Sequence, residues 1–109
     1  MSYSYKVELS ENFKKEAKRL SKKYRSLKSE LFDLITELEA NPTKGISLGS
    51  DIYKIRLSIA SKGKGKLGGA RVLTLVKVID NMVILFSIYN KGDRDNITDK
   101  EIQDLIKDL

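Results

Sequence analysis

The run Ala70-Arg-Val-Leu-Thr-Leu-Val-Lys-Val-Ile79 constrains the fold more than any other part of the chain. It is rich in β-branched residues and apolar on both faces, which predicts a strand at the centre of a sheet. Asp80-Asn81 supplies a two-residue hairpin turn into a second strand, Met82 to Tyr89. Upstream, Tyr53, Ile55, Leu57 and Ile59 alternate with Lys54, Arg56 and Ser58. The apolar set takes the core face, so Lys54 and Arg56 project together from the opposite one. These three strands in succession predict an antiparallel meander.

The N-terminal part reads differently. Tyr5, Val7 and Leu9 alternate with Lys6 and Glu8, a first, half-buried strand. Ser10 is placed to cap a helix beginning at Glu11, along which Phe13, Ala17, Leu20 and Tyr24 share one face. After a break at Tyr24 to Ser26, Leu27, Leu31, Leu34, Ile35 and Leu38 repeat the pattern until Asn41-Pro42 stops it. Two helices joined so tightly predict a hairpin, and Thr43 to Ser50 reads as a glycine-containing loop. After a polar turn, Asn90 to Asn96, Thr98-Asp-Lys-Glu101 forms a capping box. Ile102, Leu105, Ile106 and Leu109 then give a short closing helix. The expected architecture is a single α+β domain over residues 1–109: an antiparallel sheet with helices on one face and the other only partly covered.

Several chemistries are excluded at once. There is no cysteine, so disulfides and thiolate metal sites are unavailable. Histidine is absent too, which forces proton transfer onto Lys, Tyr, Asp or Glu. No apolar run reaches the roughly 18–20 residues of a membrane helix, and the polar N-terminus is unlike a signal peptide. The reading is a soluble cytoplasmic protein with no metal and no cofactor.

Charge points to the partner. The net charge is +6, and between Ile52 and Ile79 the cations Lys54, Arg56, Lys62, Lys64, Lys66, Arg71 and Lys77 occur without a single acid. These seven exceed the whole surplus, so one segment carries the positive field that a phosphate backbone requires. Its densest part, Lys62-Gly-Lys-Gly-Lys66-Leu-Gly-Gly-Ala-Arg71, interleaves lysines with glycines whose amides can approach a phosphate closely. It lacks the Gly-Lys-Ser/Thr of a nucleotide P-loop, which argues against ATP hydrolysis. Lys/Gly loops often serve only as solvated connectors. This one follows a strand that presents Lys54 and Arg56, runs directly into Arg71 and contains no neutralising acid, so the expected ligand is RNA.

Other residues carry weaker signals. Tyr89 and Lys91 end the last strand at the same sheet edge, where a Tyr either packs or stacks on a base. Tyr5, Phe13, Tyr24 and Phe32 read as core or rim. Lys14, Lys15, Lys18, Arg19, Lys22 and Lys23 form a solvated face of the first helix or extend the phosphate footprint.

With Tyr53-Lys-Ile-Arg56, Ala60-Ser-Lys-Gly-Lys-Gly-Lys-Leu-Gly-Gly-Ala-Arg-Val72 and Phe86-Ser-Ile-Tyr-Asn-Lys91, the sequence resembles the RelE/ParE superfamily of toxin–antitoxin toxins, closest to its HigB-like branch. The resemblance spans nearly the whole chain. It implies a ribosome-dependent endoribonuclease that cuts translated mRNA and is held in check by a cognate antitoxin. It also implies that Lys54, Arg56, Arg71 and Lys91 bind RNA and run the cleavage. The residues' own chemistry and placement assign Arg71 to stabilising the phosphorane and Lys62, Lys64, Lys66, Lys77 and Tyr89 to contact with RNA or ribosome. The C-terminal tyrosine and the histidines of some members have no counterpart, since Ile97 to Leu109 contains no Tyr. An amine among crowded cations loses its proton more readily, so a lysine of the cluster can serve as base, with the choice open. A ParE-like poison of DNA gyrase and a non-catalytic RNA-binding protein are the alternatives.

Overall fold

A computed structural model describes residues 4–62, 69–94 and 96–109. Its elements in chain order are β1 (Lys6–Leu9), α1 (Glu11–Lys23), α2 (Leu27–Ala40), β2 (Ile46–Gly49), β3 (Ile52–Leu57), β4 (Ala70–Lys77), β5 (Met82–Asn90) and α3 (Asp99–Ile106). The five strands form one sheet in the order β1-β5-β4-β3-β2, with β4 at its centre as its two-sided apolar pattern requires.

Local chemistry starts and stops the helices as expected. The Ser10 side chain accepts a hydrogen bond from the Phe13 N–H, and Thr98 and Glu101 complete a reciprocal capping box on α3. Between α1 and α2, Leu27 N–H donates to the Tyr24 carbonyl. Phe13, Leu20, Leu27, Leu31, Leu34 and Leu38 bury against Ile55, Val72, Val76, Val83, Leu85 and Ile88 on one sheet face. Each fully buried Leu or Ile contributes about 1.5–3 kcal/mol of transfer free energy.

The architecture departs from the sequence reading in several ways. β1 runs parallel to β5, so the sheet is mixed rather than antiparallel. Residue alternation fixes which face is buried but carries no information on strand direction. The segment read as a loop contains β2, an edge strand paired antiparallel to β3. All four of its residues are exposed, so no burial period marked it. The turn after β4 is longer than two residues: Val78 and Ile79 lie outside the strand and exposed, with Asn81 N–H donating to the Val78 carbonyl. Phe32, read as core or rim, is 70% exposed.

The second sheet face is also better covered than expected. Ile97 and Ile102 from the α3 region pack with Ile52, Leu73 and Phe86 there, aided by Leu105 and Ile106. Cations and closing helix therefore share a face.

Candidate nucleic-acid interface

The strand register assembles the site. Arg56 lies opposite Arg71, and Arg71 lies opposite Tyr89, a single row across β3, β4 and β5. Strands about 4.8 Å apart make this row roughly 10 Å wide. Lys54 stands two residues before Arg56, opposite Leu73. Because Ile52 and Leu73 belong to the α3-side cluster, alternation puts Lys54, Arg56 and Arg71 on that same face.

Tyr89 reaches this face through a bulge. The register steps from Leu73 opposite Ser87 to Thr74 opposite Leu85, which leaves Phe86 as an extra residue in β5. Leu85 points toward the helical hairpin, and uninterrupted alternation would send the residue four positions on to the same side. The extra residue inverts the pattern, so Ile88 packs under the hairpin and Tyr89 joins the cationic row.

Gly69 brings the three strands together at the end of this row. Its φ is +48°, and a Cβ there would lie 2.2 Å from the Leu57 carbonyl oxygen, so only glycine fits. Its own carbonyl accepts from the Lys91 N–H at 3.0 Å, extending the β4–β5 ladder to Lys91. The turn that follows is organised by Asn90, whose Nδ2 donates to Tyr24 Oη (3.0 Å) and Asp93 Oδ2 (3.3 Å) and whose Oδ1 accepts from the Gly92 N–H.

This turn delivers Arg94, a residue the sequence reading passed over. Its guanidinium carbon lies 5.4 Å from the centroid of the Tyr89 ring, and Nη2 donates to Glu101 Oε1 at 2.7 Å. Glu101, already engaged in the capping box, is thereby held at a pKa of about 2, chiefly by this hydrogen bond from Arg94. Nothing in the polar turn advertised Arg94, since a stacked cation has no periodicity. Tyr89 itself is only 6% exposed, and among the described residues its hydroxyl has no hydrogen-bond partner. Burial pushes the phenol above its ordinary value against the pull of Arg71, Arg94 and Lys91, which leaves it a neutral donor at physiological pH.

A second overlooked residue is Glu16, an acid in the middle of the lysine-rich α1. Past Leu85, β5 loses its β1 neighbour, and α1 side chains take over its free edge. Asn12 Nδ2 donates to the Phe86 carbonyl at 3.0 Å, while Glu16 Oε1 accepts from the Ile88 N–H at 3.1 Å and from Ser87 Oγ at 3.0 Å. A carboxylate in the middle of a lysine-rich helix, away from the first turn that favours acids, was the signal available.

The expected site residues differ in exposure, and not all of them join the row. Lys54 is half-buried, Arg56 exposed, and Arg71 8% exposed with Nη1 donating to the Ala70 carbonyl at 3.3 Å. Lys91 lies just past β5. Lys62 ends a short 3₁₀ turn, Ala60–Lys62, fastened to α2 by Ala60 N–H donating to Glu30 Oε2 and Ser61 N–H to Ser26 Oγ. Lys64 and Lys66 lie outside the described residues. Lys77 ends β4 opposite Met82, six residues from Arg71, roughly 20 Å along the strand. It is not brought into the cluster. Among the described residues no cluster of His, Cys, Asp and Glu could hold a metal ion, and no helix is long and apolar enough to cross a membrane.

Comparison with solved structures reveals the same fold. The free E. coli toxin RelE, as a double arginine-to-alanine mutant, superposes with a TM-score of 0.63 at 18% identity, covering 97% of this chain and 98% of that one. The isolated E. coli RelE toxin gives 0.52 at 19% identity over 97% and 100% of the two chains. A chain of the intact E. coli RelBE toxin–antitoxin complex gives 0.51 at 23% identity over 80% and 96%. No curated protein sequence matches significantly. The family described as "RelE toxin of RelE / RelB toxin-antitoxin system" matches residues 10–108, nearly the whole sequence. The chain therefore belongs to the RelE toxin family.

Proposed function

We propose that this toxin is a ribosome-dependent endoribonuclease that cleaves translated mRNA in the cytoplasm, needs no metal ion, and belongs to the HigB-like branch on the strength of its Lys/Gly block. The observation that carries the reading is the in-register row Arg56, Arg71 and Tyr89, flanked by Lys54 and Lys91. Two arginines opposite each other repel, and a bridging phosphate relieves that repulsion. In the reaction a ribose 2′-oxygen attacks the adjacent phosphorus while the bond to the 5′-oxygen breaks, leaving a cyclic phosphate and a free 5′-hydroxyl. Arg71 and Arg56 hold the dianionic phosphorane. A lysine, Lys54 or Lys91, takes the 2′-hydroxyl proton, and a neighbouring donor protonates the leaving oxygen. Lys62, Lys64, Lys66 and Lys77 add contacts along the backbone of mRNA or ribosomal RNA. The ribosome positions the scissile bond, so the sparse acid/base set suffices. A cognate antitoxin, as in the E. coli RelBE complex, holds the toxin in check. Parallel translation and supercoiling assays test the assignment: arrest of translation with unaffected gyrase is expected, and inhibited supercoiling with intact mRNA overturns it.

A further inference from the structure

Where β1 ends, the free edge of β5 borders a hollow of about 160 Å³ that the cleavage mechanism leaves unused. Glu16 and Arg19 reach it from α1, Tyr89 and Asn90 from β5, and Asp93 and Arg94 from the turn that follows. Sites for drug-sized ligands start at about 300 Å³, so this one admits a single ring system and not a helix. Tyr89 belongs both to the hollow and to the cationic row, where it lies opposite Arg71. Paired strands are about 4.8 Å apart, so a phosphate held by Arg71 has the hollow within reach of its own nucleotide.

Two of these side chains are fixed in place. Arg94 is exposed, yet its Nε donates to the Asn96 carbonyl at 2.9 Å, its Nη2 donates to Glu101 at 2.7 Å, and the Tyr89 ring lies against it. A pinned guanidinium plane is a stacking platform for an unstacked RNA base. Glu16 is fixed through one oxygen only. Its Oε1 accepts from Asn12 Nδ2 (2.9 Å), Ser87 Oγ (3.0 Å) and the Ile88 N–H (3.1 Å), whereas Oε2 has no hydrogen bond among the described residues. Closing the β5 edge accounts for the first oxygen. The second is an acceptor held in place with nothing to accept.

We infer that this hollow is a nucleobase subsite, which takes the base of a nucleotide next to the phosphate on the arginine row, stacks it on Arg94 and reads its edge with Glu16. The inference rests on the RNA reading of that row and adds base preference to it. An ionised carboxylate only accepts hydrogen bonds, so it selects bases that offer an amino group: cytosine, adenine or guanine. Uracil has no amino group, and its one edge N–H sits between two carbonyl oxygens that a carboxylate repels.

Tetracytidylate and tetrauridylate, 2′-O-methylated so that neither can be cut, differ only at this edge of the base. Titrated into the isotope-labelled full chain, the cytidine tetramer should shift the Glu16, Tyr89 and Arg94 resonances. It should bind about tenfold more tightly than the uridine tetramer, the scale of one well-placed contact to a base edge. Glu16→Gln keeps an acceptor oxygen for Ile88 and puts an amide donor in place of Oε2, so it should pass the preference to uridine. A merely structural Glu16 would leave that ratio unmoved. Arg94→Lys keeps the charge without the plane and should weaken both tetramers. Absent or equal binding in wild type, a ratio unchanged by Glu16→Gln, indifference to Arg94→Lys, or shifts confined to Lys54, Arg56 and Arg71 would each overturn the proposal. Cleavage of an mRNA with a randomised codon, in a reconstituted translation system, is read beside the titration. Cuts should favour C over U at one position flanking the scissile bond, with the bias reversed in Glu16→Gln, and even cutting would also overturn the subsite. No cleavage alongside a selective titration keeps the subsite and removes the nuclease mechanism instead.

Discussion

Arg56 and Arg71 are direct cross-strand partners, like charges in register on one sheet face. A sheet gains nothing from that pairing, which costs roughly 0.2–1 kcal/mol. A phosphate between them turns the cost into binding. Replacing the exposed Arg56 by Ala should therefore leave thermal stability within about 0.5 kcal/mol of wild type, or slightly above it, while slowing mRNA cleavage at least about tenfold. Thermal unfolding and cleavage rates measured on one preparation check both halves. Full activity in a normally folded variant would remove Arg56 from the site.

Glu16 stands in for a missing strand. Its carboxylate accepts the Ile88 N–H that β1 no longer reaches. Glu16→Ala leaves that amide without its acceptor and should cost about 1–3 kcal/mol in chemical denaturation, with faster hydrogen exchange at Ile88. Glu16→Gln keeps an acceptor oxygen and should recover most of the loss. Equal losses for both variants would mean that charge, not the acceptor, is what matters.

The Arg94–Glu101 pair sets an acid dependence. Glu101 is depressed from 4.5 to about 2 by Arg94 first and by the Thr98 backbone second. A depressed carboxylate adds stability that is present in full above pH 4.5 and lost as pH falls toward 2. Between those limits the melting temperature of wild type should fall more steeply than that of Glu101→Gln. The difference should shrink in high salt, because the pair is open to solvent. Parallel curves would show that the pair forms equally well in the unfolded chain.

Gly69 is the steric pivot of the site. In Gly69→Ala the new Cβ meets the Leu57 carbonyl oxygen, so β3 and the start of β4 must separate. A loss of about 1–3 kcal/mol is expected, together with weaker cleavage, because Arg71 and Lys91 both hang on this junction. Calorimetry beside the cleavage assay checks it, and a neutral substitution would show that the junction adjusts freely.

What could be read from sequence follows from what periodicity encodes. The central position of β4, both capped helices and the projection of Lys54 and Arg56 were legible because alternation and helical spacing report burial directly. The parallel direction of β1 was not, since a strand's pattern is the same read either way. β2 escaped because an exposed edge strand has no buried face. Tyr89 reached the cationic row only through the bulge at Phe86, a one-residue insertion with no compositional mark. Arg94 was hidden for a related reason: its place depends on Asn90 folding the turn and Glu101 receiving the guanidinium. The family resemblance named the cations, and the register explains how Lys54, Arg56 and Arg71 come to share one sheet face.

The most direct measurement is cleavage of a defined mRNA in a reconstituted translation system, with and without ribosomes, mapped to the nucleotide for wild type and Arg71→Ala. Cuts within translated codons that require ribosomes and vanish in a folded Arg71→Ala protein are the expected result. Intact mRNA beside folded wild-type protein, or undiminished cutting by Arg71→Ala, would contradict the account.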